Sequence, residues 1–393
     1  MKNVFKRIFP LMLVALLTAS CGGGSGGNQT ASGGIGGTGI SQGSVTGFGS
    51  VILNGVKFNT DNATFTVDDK PGTQANLAVG MQVKIRVGED GITAETVEFE
   101  PEVEGPVENI NFATNTLTVL GRTVVRDDNT KIEDTAGNPV PFNTLTPGVA
   151  VLEISGLVFS DDKVVQATHI RLRDDAFAAG TTEVEIKGKI ASLDTTPNTF
   201  VIGTQLINYS GITPAPSLND GDFVEVKGKH DGVSTLTAES IEQEDAFSAN
   251  AGDKVEIEGV VDAPFTGIAS FSINGQAVTT DGTTVFEDGA PDDVAANVRL
   301  EVEGTITGGV LVAKKVQFRG NRIKIEATVE SKSTSGANIV TLLGIPVVIN
   351  GATEMKDGID FSNINPPDPL AIKGYLTGTG TSRMVVATRV EAN

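Results

Sequence analysis

The 393-residue sequence contains no tryptophan, two tyrosines, two histidines and a single cysteine. One cysteine excludes disulfides within the chain and clusters of thiolate metal ligands. Because the two histidines, His169 and His230, fall in different parts of the chain, histidine-based acid–base or metal chemistry has little to draw on. The shortage of Trp and Tyr argues against a stacking surface for nucleic-acid bases or sugars.

Positive charge is also scarce. Of the 29 basic residues, Lys2, Lys6 and Arg7 lie in an N-terminal signal, which leaves 26 basic residues against 49 acidic ones. The remainder of this acidic chain therefore has a formal charge of −23, which would repel a phosphate backbone. We expect no nucleic-acid partner.

Residues 1–21 have the pattern of a lipoprotein signal peptide. The three basic residues precede an apolar run at residues 11–17, which is too short to span a bilayer. Residues 17–21, LTASC, resemble a bacterial lipobox, so we expect cleavage and lipidation at Cys21. A lipid on Cys21 would anchor the chain to a membrane. Gly22, where Asp would favour retention, indicates the outer membrane of a didermic bacterium, at its periplasmic face or at the cell surface.

Residues 22–41 are mostly Gly, Ser, Thr, Asn and Gln, with too few apolar side chains to offset the entropy of ordering. We interpret them as a flexible linker. A coil of this length reaches on the order of 25 Å, enough to hold a folded body clear of lipid headgroups.

The rest of the chain repeats one pattern about every 70 residues. A strand-like segment that begins with alanine recurs five times, as Ala94-Glu95-Thr96-Val97, Ala167-Thr168-His169-Ile170, Ala238-Glu239-Ser240-Ile241, Ala313-Lys314-Lys315-Val316 and Ala387-Thr388-Arg389-Val390. The predicted repeats are residues 42–101, 102–178, 182–248, 253–320 and 321–393.

The third repeat shows the predicted order of strands most clearly. Residues 184–190 alternate apolar and polar side chains, and residues 198–209 form a hairpin that turns at Gly203. After a polar stretch rich in turn residues, 221–228 and 236–241 supply a fourth and a fifth strand. Three strands, a long connection and two strands are the chain order of an OB-like barrel. Equivalent hairpin glycines are Gly55, Gly121, Gly275 and Gly344. The prediction is an all-β tandem array of five small, five-stranded OB-like barrels.

These repeats resemble a bacterial domain family. The segment at residues 47–58 (GFGSVILNGVKF), the Gly-Asp-x-Val-x-Val-x-Gly strand of the third repeat and its Leu-x-Ala-x-x-Ile strand are similar to DUF5666 domains. The resemblance implies tandem domains in an exported or lipid-anchored bacterial protein. It implies no catalytic or binding residues, because the function of the family is unknown.

We predict no catalytic, cofactor-binding or metal-binding residue. His169 is interpreted as a half-exposed strand residue and His230 as a turn residue. Tyr209 and Tyr375 are the only tyrosines, and Phe200 and Phe223 are assigned to core packing. Acidic pairs at 161–162, 174–175 and 292–293 leave a glycosidase-like pair of carboxylates open, although one small barrel offers little of the cleft that such an enzyme needs.

Calcium is a weaker alternative. The acidic loops at residues 127–129 and 287–293 could supply oxygen ligands, but neither has the spaced ligand series of an EF-hand. Solvated turns account for the same residues, because Asp, Asn and Gly are ordinary turn formers.

The sequence therefore predicts a non-catalytic, lipid-anchored protein of the cell envelope with a structural or binding role. An alternative is a surface adhesin that binds a glycan or an envelope protein through the loops between the third and fourth strands. A calcium-binding envelope module and a glycan-active enzyme rank third.

Overall fold

A computed structural model describes residues 39–127, 129–159, 161–244, 249–262, 266–289, 291, 294–319, 321–333, 338–349, 353–377 and 384–393. The predicted signal peptide, Cys21 and residues 22–38 of the predicted linker lie outside the described residues. The first strand begins at Gly39, so residues 39–41 belong to the first barrel and not to the linker. No helix among the described residues has the length and apolar character needed to cross a bilayer.

The described fold consists almost entirely of strands. Repeat 1 contains β1 (Gly39–Gly47), β2 (Val51–Leu53), β3 (Val56–Phe58), β4 (Thr64–Val67), β5 (Lys70–Gly72), β6 (Gln82–Val87) and β7 (Ala94–Phe99). Repeat 2 contains β8 (Val103–Asn111), β9 (Thr116–Val119), β10 (Arg122–Val125), β11 (Lys131–Asp134), β12 (Ala150–Val158) and β13 (Val164–Ala176). Repeat 3 contains β14 (Glu183–Lys189), β15 (Ala191–Asp194), β16 (Thr199–Ile202), β17 (Gln205–Asn208), β18 (Phe223–His230) and β19 (Thr235–Gln243).

The last two repeats follow the same plan. Repeat 4 contains β20 (Lys254–Val260), β21 (Ser270–Ile273), β22 (Gln276–Thr279), β23 (Val285–Glu287), β24 (Arg299–Thr307) and β25 (Val310–Phe318). Repeat 5 contains β26 (Asn321–Thr328), β27 (Ser331–Lys332), β28 (Ile339–Leu342), β29 (Ile345–Val348), β30 (Glu354–Met355), β31 (Pro369–Thr377) and β32 (Met384–Ala392). Short 3-10 turns occur at Gln74–Asn76, Phe142–Thr144 and Phe361–Asn363.

Repeat 2 forms a closed ring of paired strands. Strand β8 pairs with β9, β9 with β10, β10 with β13, β13 with β12, and β12 returns to β8. Only the β10–β13 pair of this ring is parallel. A ring in the order 1-2-3-5-4-1 is the OB arrangement, so the predicted fold is confirmed. The alternating apolar residues of these strands point inwards and form the core, which includes Val103, Leu117, Leu152 and Ile170.

The recurring alanine segment marks a β-bulge in the fifth strand of each repeat. In repeat 3, Lys227 is opposite Ser240 and Gly228 is opposite Ala238, so Glu239 is the extra residue. The same shift occurs in the other four repeats. A Cβ at Gly228 would overlap the carbonyl oxygen of Thr237, which explains the glycine opposite the bulge.

The hairpin glycines are explained by the conformation of their turns. Gly55 follows Asn54 in a two-residue turn, because Leu53 pairs with Val56. Both turn residues have positive φ, at 50° and 80°, which is the type I′ geometry that Asn-Gly favours.

The repeats are not arranged in chain order. Strand β1 of repeat 1 pairs in parallel with β20 of repeat 4, and β8 of repeat 2 pairs antiparallel with β14 of repeat 3. A small apolar core is shared by repeats 2, 4 and 5 and consists of Val125, Leu157, Phe159, Val164, Val260, Ile339, Val348, Met384 and Val386. Repeats that are distant in sequence therefore pack against one another.

Candidate binding site at the junction of the repeats

A cavity of about 190 Å³ lies where repeats 1 to 4 meet. Repeat 1 contributes Gln42 and Glu100, and repeat 2 contributes Glu102. The apolar part of its wall comes from Val83, Leu157, Val158, Phe159 and Phe223. Because four repeats supply its wall, the site exists only in the assembled chain.

Lys187 on β14 is the central cation of this junction. Its buried ammonium binds Glu100 and lies 2.8 Å from Oε2 of Glu225. Oxygens of Glu100, Glu225 and Glu244 all lie within 4.8 Å of one another, a spacing that would also suit a metal ion. Burial opposes the charge of Lys187, but the two carboxylates outweigh it and raise the pKa of Lys187. The chain's own ammonium thus binds two of the three carboxyls in this group.

Arg122 on β10 fastens repeat 2 to repeat 3. The fully buried guanidinium donates to the backbone carbonyls of Glu102, Asp162 and Lys187, and Nη2 lies 3.3 Å from Oδ1 of Asp162. Burial lowers the pKa of Arg122, while Asp162 and Glu102 oppose that change. Sequence reasoning missed this residue. Comparison of the repeats could have indicated it, because a charged residue follows the hairpin glycine in repeat 2 alone. The other repeats have uncharged residues there, namely Val56, Thr204, Gln276 and Ile345.

Several acceptors that line the cavity have no partner within the described part of the chain. The Glu102 and Glu244 carboxyls accept no hydrogen bond there, and Oε1 of Gln42 is buried without a partner. Burial raises the pKa of both glutamates, against the attraction of nearby Lys187. By contrast, the lysines of the wall are engaged, Lys84 with Glu98 and Lys189 with Asp262. The cavity therefore has a surplus of acceptors.

A second cavity of about 380 Å³ lies between repeats 1, 2 and 3 and is more polar. Behind it a row of charges crosses five strands in direct register: Arg171, Glu153, Glu104, Glu185 and Lys227. Like charges directly opposite one another are unfavourable in a sheet. Burial raises the pKa of Glu153 to about 7 and that of Glu185 to about 9, so the row relieves its repulsion by holding protons.

A third group of carboxylates lies at the seam between repeats 1 and 4. Glu256, Glu301 and Glu303 have oxygens within 4.8 Å of one another. Arg319 binds Glu301, Lys315 binds Glu303, and Ser41 donates to Glu256. Burial, together with Glu301 and Glu303, raises the pKa of Glu256 to about 8.

The predicted environments of the two histidines were wrong. His169 is fully buried because repeat 1 covers the outer face of its strand at Gly80, and its Nε2 lies 3.1 Å from Oε1 of Glu133. His230 is 2% exposed at the end of β18, where the ring of Phe177 covers it at 6.4 Å. Burial lowers the pKa of both histidines.

The described residues of the two acidic loops make hydrogen bonds within the chain. Oδ1 of Asp127 accepts from the backbone N–H groups of Asn129 and Thr130, and Asp288 accepts from Gln317. Asp292 and Asp293 lie outside the described residues.

In the other acidic pairs, each carboxylate has a partner of its own. Asp162 binds Arg122, Asp174 accepts from Thr135, and Asp175 binds Arg173. Asp161 accepts from the backbone N–H of Lys163.

The tyrosines and Phe200 serve the cores. Phe200 packs on buried Tyr209 at 5.6 Å, and Tyr375 of repeat 5 stacks on Phe318 of repeat 4 at 6.1 Å. Phe223 is half-buried and lines the junction cavity, so its role is only partly in the core.

The fold and the junction together define an all-β repeat protein whose OB-type barrels assemble around shared polar cavities. A family described as "Domain of unknown function (DUF5666)" matches residues 40–98, 104–171, 187–242, 258–317 and 326–391. The chain belongs to this DUF5666 family and carries five tandem copies of the domain.

Two further comparisons add little. The search of curated proteins gives no match. A solved structure titled "drosophila Unr CSD456" is 12% identical and covers 55% of this chain and 99% of its own, with a TM-score of 0.13. At that TM-score the likeness carries no argument.

Proposed function

We propose that this protein is a non-catalytic structural and binding component of the bacterial cell envelope, exported by residues 1–21 and anchored by a lipid on Cys21. The LTASC segment after a short apolar run supports the anchor. An outer-membrane location, at the periplasmic face or the surface, follows from Gly22.

The observation that carries the binding role is the assembly of four repeats around one cavity with unpartnered acceptors. Independent barrels on flexible linkers would not need buried pairs such as Arg122 with Asp162 or Lys187 with Glu225. Burying these charges is costly unless the geometry is fixed, so the repeats form a defined body. Such a body can hold a ligand or present a fixed surface to a partner.

Labelling with a radioactive fatty acid tests the anchor. The wild-type chain should incorporate label and partition with outer membranes, and Cys21→Ser should do neither. Label retained by Cys21→Ser, or a wild-type chain that never incorporates label, would overturn the lipoprotein proposal. Protease treatment of intact cells, with permeabilised cells as the control for cleavage, then assigns the face.

Adhesion at the cell surface is the second candidate function, and a patch on repeat 2 favours it. Phe112 is 56% exposed and meets Phe142 edge to face at 5.7 Å, while Arg126 lies 4.7 Å over the Phe142 ring. Phe142 lies in the connection between the third and fourth strands of its barrel, and exposed aromatic side chains with a cation are typical of recognition surfaces. If adhesion is the function, Phe112→Ser should reduce binding of cells to a glycan or protein surface without lowering the melting temperature. Protection of the repeats in intact cells would exclude it.

A further inference from the structure

We propose that the junction cavity binds a primary alkylammonium group, either a free short-chain amine or the side chain of a lysine. The inference deepens the proposed binding role by naming the chemical class of the ligand.

The first argument is the kind of polar group that lacks a partner. Glu102, Glu244 and Oε1 of Gln42 are all acceptors. Of these, Oε1 of Gln42 is buried, and a buried acceptor without a donor costs about 1–3 kcal/mol, which an N–H donor of a ligand would recover. An anion or an acceptor-rich ligand would add to the surplus.

The second argument is the shape and lining of the cavity. Leu157, Phe159 and Phe223 give the same cavity an apolar part of its wall. A volume of about 190 Å³ is smaller than sites for drug-sized ligands, and it suits a short chain with one polar end. A bare metal ion would leave the apolar wall unused.

The third argument is the ammonium already present. Lys187 Nζ binds Glu100 and lies 2.8 Å from Glu225, which shows that carboxylates of this junction accept an –NH₃⁺ group. Glu244 belongs to the same oxygen cluster but makes no hydrogen bond to Lys187 in the described residues. A second ammonium could therefore bind at Glu244 or Glu102, which both line the cavity, while Lys187 stays in place.

The charge balance of the wall points the same way. Six carboxylates line the cavity, namely Glu98, Glu100, Glu102, Asp162, Glu244 and Asp262, against three lysines, Lys84, Lys187 and Lys189. Burial raises the pKa of Glu102 and that of Glu244, and an incoming ammonium, which favours the charged form of a carboxyl, should lower both.

Calorimetry on the purified full chain tests the proposal, with n-butylamine as the probe and n-butanol as the neutral control of equal length. We expect butylamine to bind and butanol not to bind. N-acetyl-lysine methylamide serves as the second probe. Tighter binding of this probe would identify a lysine side chain as the natural source, and tighter binding of butylamine would identify a free amine.

Two variants locate the site. Glu102→Gln should weaken butylamine binding at least tenfold, and Gln42→Met should weaken it less while removing an unpaired acceptor that stability does not need. Glu95→Gln is the matched control, because Glu95 is exposed and lies outside the cavity. If Glu102→Gln does not fold, Gln42→Met and the butanol comparison still decide.

Absence of butylamine binding, equal binding by Glu102→Gln, or saturable binding of Ca²⁺ in its place would overturn the inference. The lipid anchor is measured separately by fatty-acid labelling, so either proposal can fail alone.

Discussion

Ser41 in the first repeat and Glu256 in the fourth are register partners in parallel strands, and the Ser41 hydroxyl donates a hydrogen bond of 3.3 Å to the Glu256 carboxyl. A buried glutamate thus lies at the seam of two repeats that are distant in sequence, and the stability of that seam depends on pH.

Glu256→Gln should make the protein more stable at high pH. The pKa of Glu256 is raised from 4.5 to about 8, so the folded state holds a proton that the unfolded state has lost between those values. Stability from this group is therefore complete below about pH 4.5, falls as the pH rises, and levels off above about pH 8. Glutamine removes the loss, which amounts to about 3–5 kcal/mol at pH 9. Urea unfolding of both proteins between pH 4.5 and 9 measures this, and a constant difference across that range would contradict it.

Gly228→Ala should destabilise repeat 3. The new Cβ would overlap the carbonyl oxygen of Thr237 across the bulge, and backbone cannot move aside without breaking the ladder. We expect a loss of about 2–3 kcal/mol in the free energy of unfolding. Gly211→Ala is the control, because it has open space around its Cβ position. Equal melting temperatures of the two variants would show that the bulge tolerates a side chain.

Arg122→Gln should weaken the contact between repeat 2 and repeat 3. The substitution removes donors from three carbonyls and leaves Asp162 buried with a lost partner. We expect a loss of about 3–5 kcal/mol, measured by denaturant unfolding. Lys57→Gln removes the same charge from an exposed position and should change stability by less than about 0.5 kcal/mol. A similar small change for Arg122→Gln would mean that the guanidinium is dispensable.

Lys227→Met should loosen the contact between repeats 1 and 3. Lys227 Nζ lies 2.9 Å from Asp68 and 2.7 Å from Asp69 in repeat 1, and 3.0 Å from Glu225 in repeat 3. We expect a loss of about 2–3 kcal/mol, because the buried carboxylates of Glu185 and Glu225 would lose this cation.

Lys70→Met provides the control for that prediction. Lys70 also binds Asp68 but has a side chain that is 73% exposed, so its loss should cost less than about 1 kcal/mol. In a background that carries Asp68→Asn, Lys227→Met should lower the free energy of unfolding by less than it does in the wild type. The effect of Lys70→Met should be the same in both backgrounds. Equal costs for the two lysines would refute a special role for Lys227.

The folds of the individual barrels could be predicted because their determinants are local. Period-two alternation identifies the strands, and Gly203 and its equivalents identify the hairpins. The alanine segments identify the repeats, but the sequence does not show that they contain a β-bulge. A bulge depends on the residue of the neighbouring strand, as Ala238 depends on Gly228.

The arrangement of the repeats could not be predicted. The alternation of apolar and polar residues predicts which face of a strand packs against the core of its own barrel. It does not predict whether another repeat packs on the opposite face. His169 was misjudged for this reason, since Gly80 of another repeat covers it. Glu102 and Lys187 look like ordinary solvated residues in the sequence, and only the pairing of β8 with β14 brings them to the cavity. Arg122 alone had a positional signal.

The parallel pairing of β1 with β20 also constrains the timing of folding. Ser41 and Glu256 are 215 positions apart, so when the chain emerges from its amino end, residues 39–42 of β1 pair with β6 long before β20 pairs with their other edge. Closing a contact over such a separation is slow compared with forming a hairpin. Until the fourth repeat arrives, one edge of β1 has unpaired N–H and C=O groups, which makes it a place where another chain could add a strand. The folding intermediate that precedes this pairing is therefore the species most prone to aggregate. A chaperone that holds unfolded chains would have the most effect at that stage.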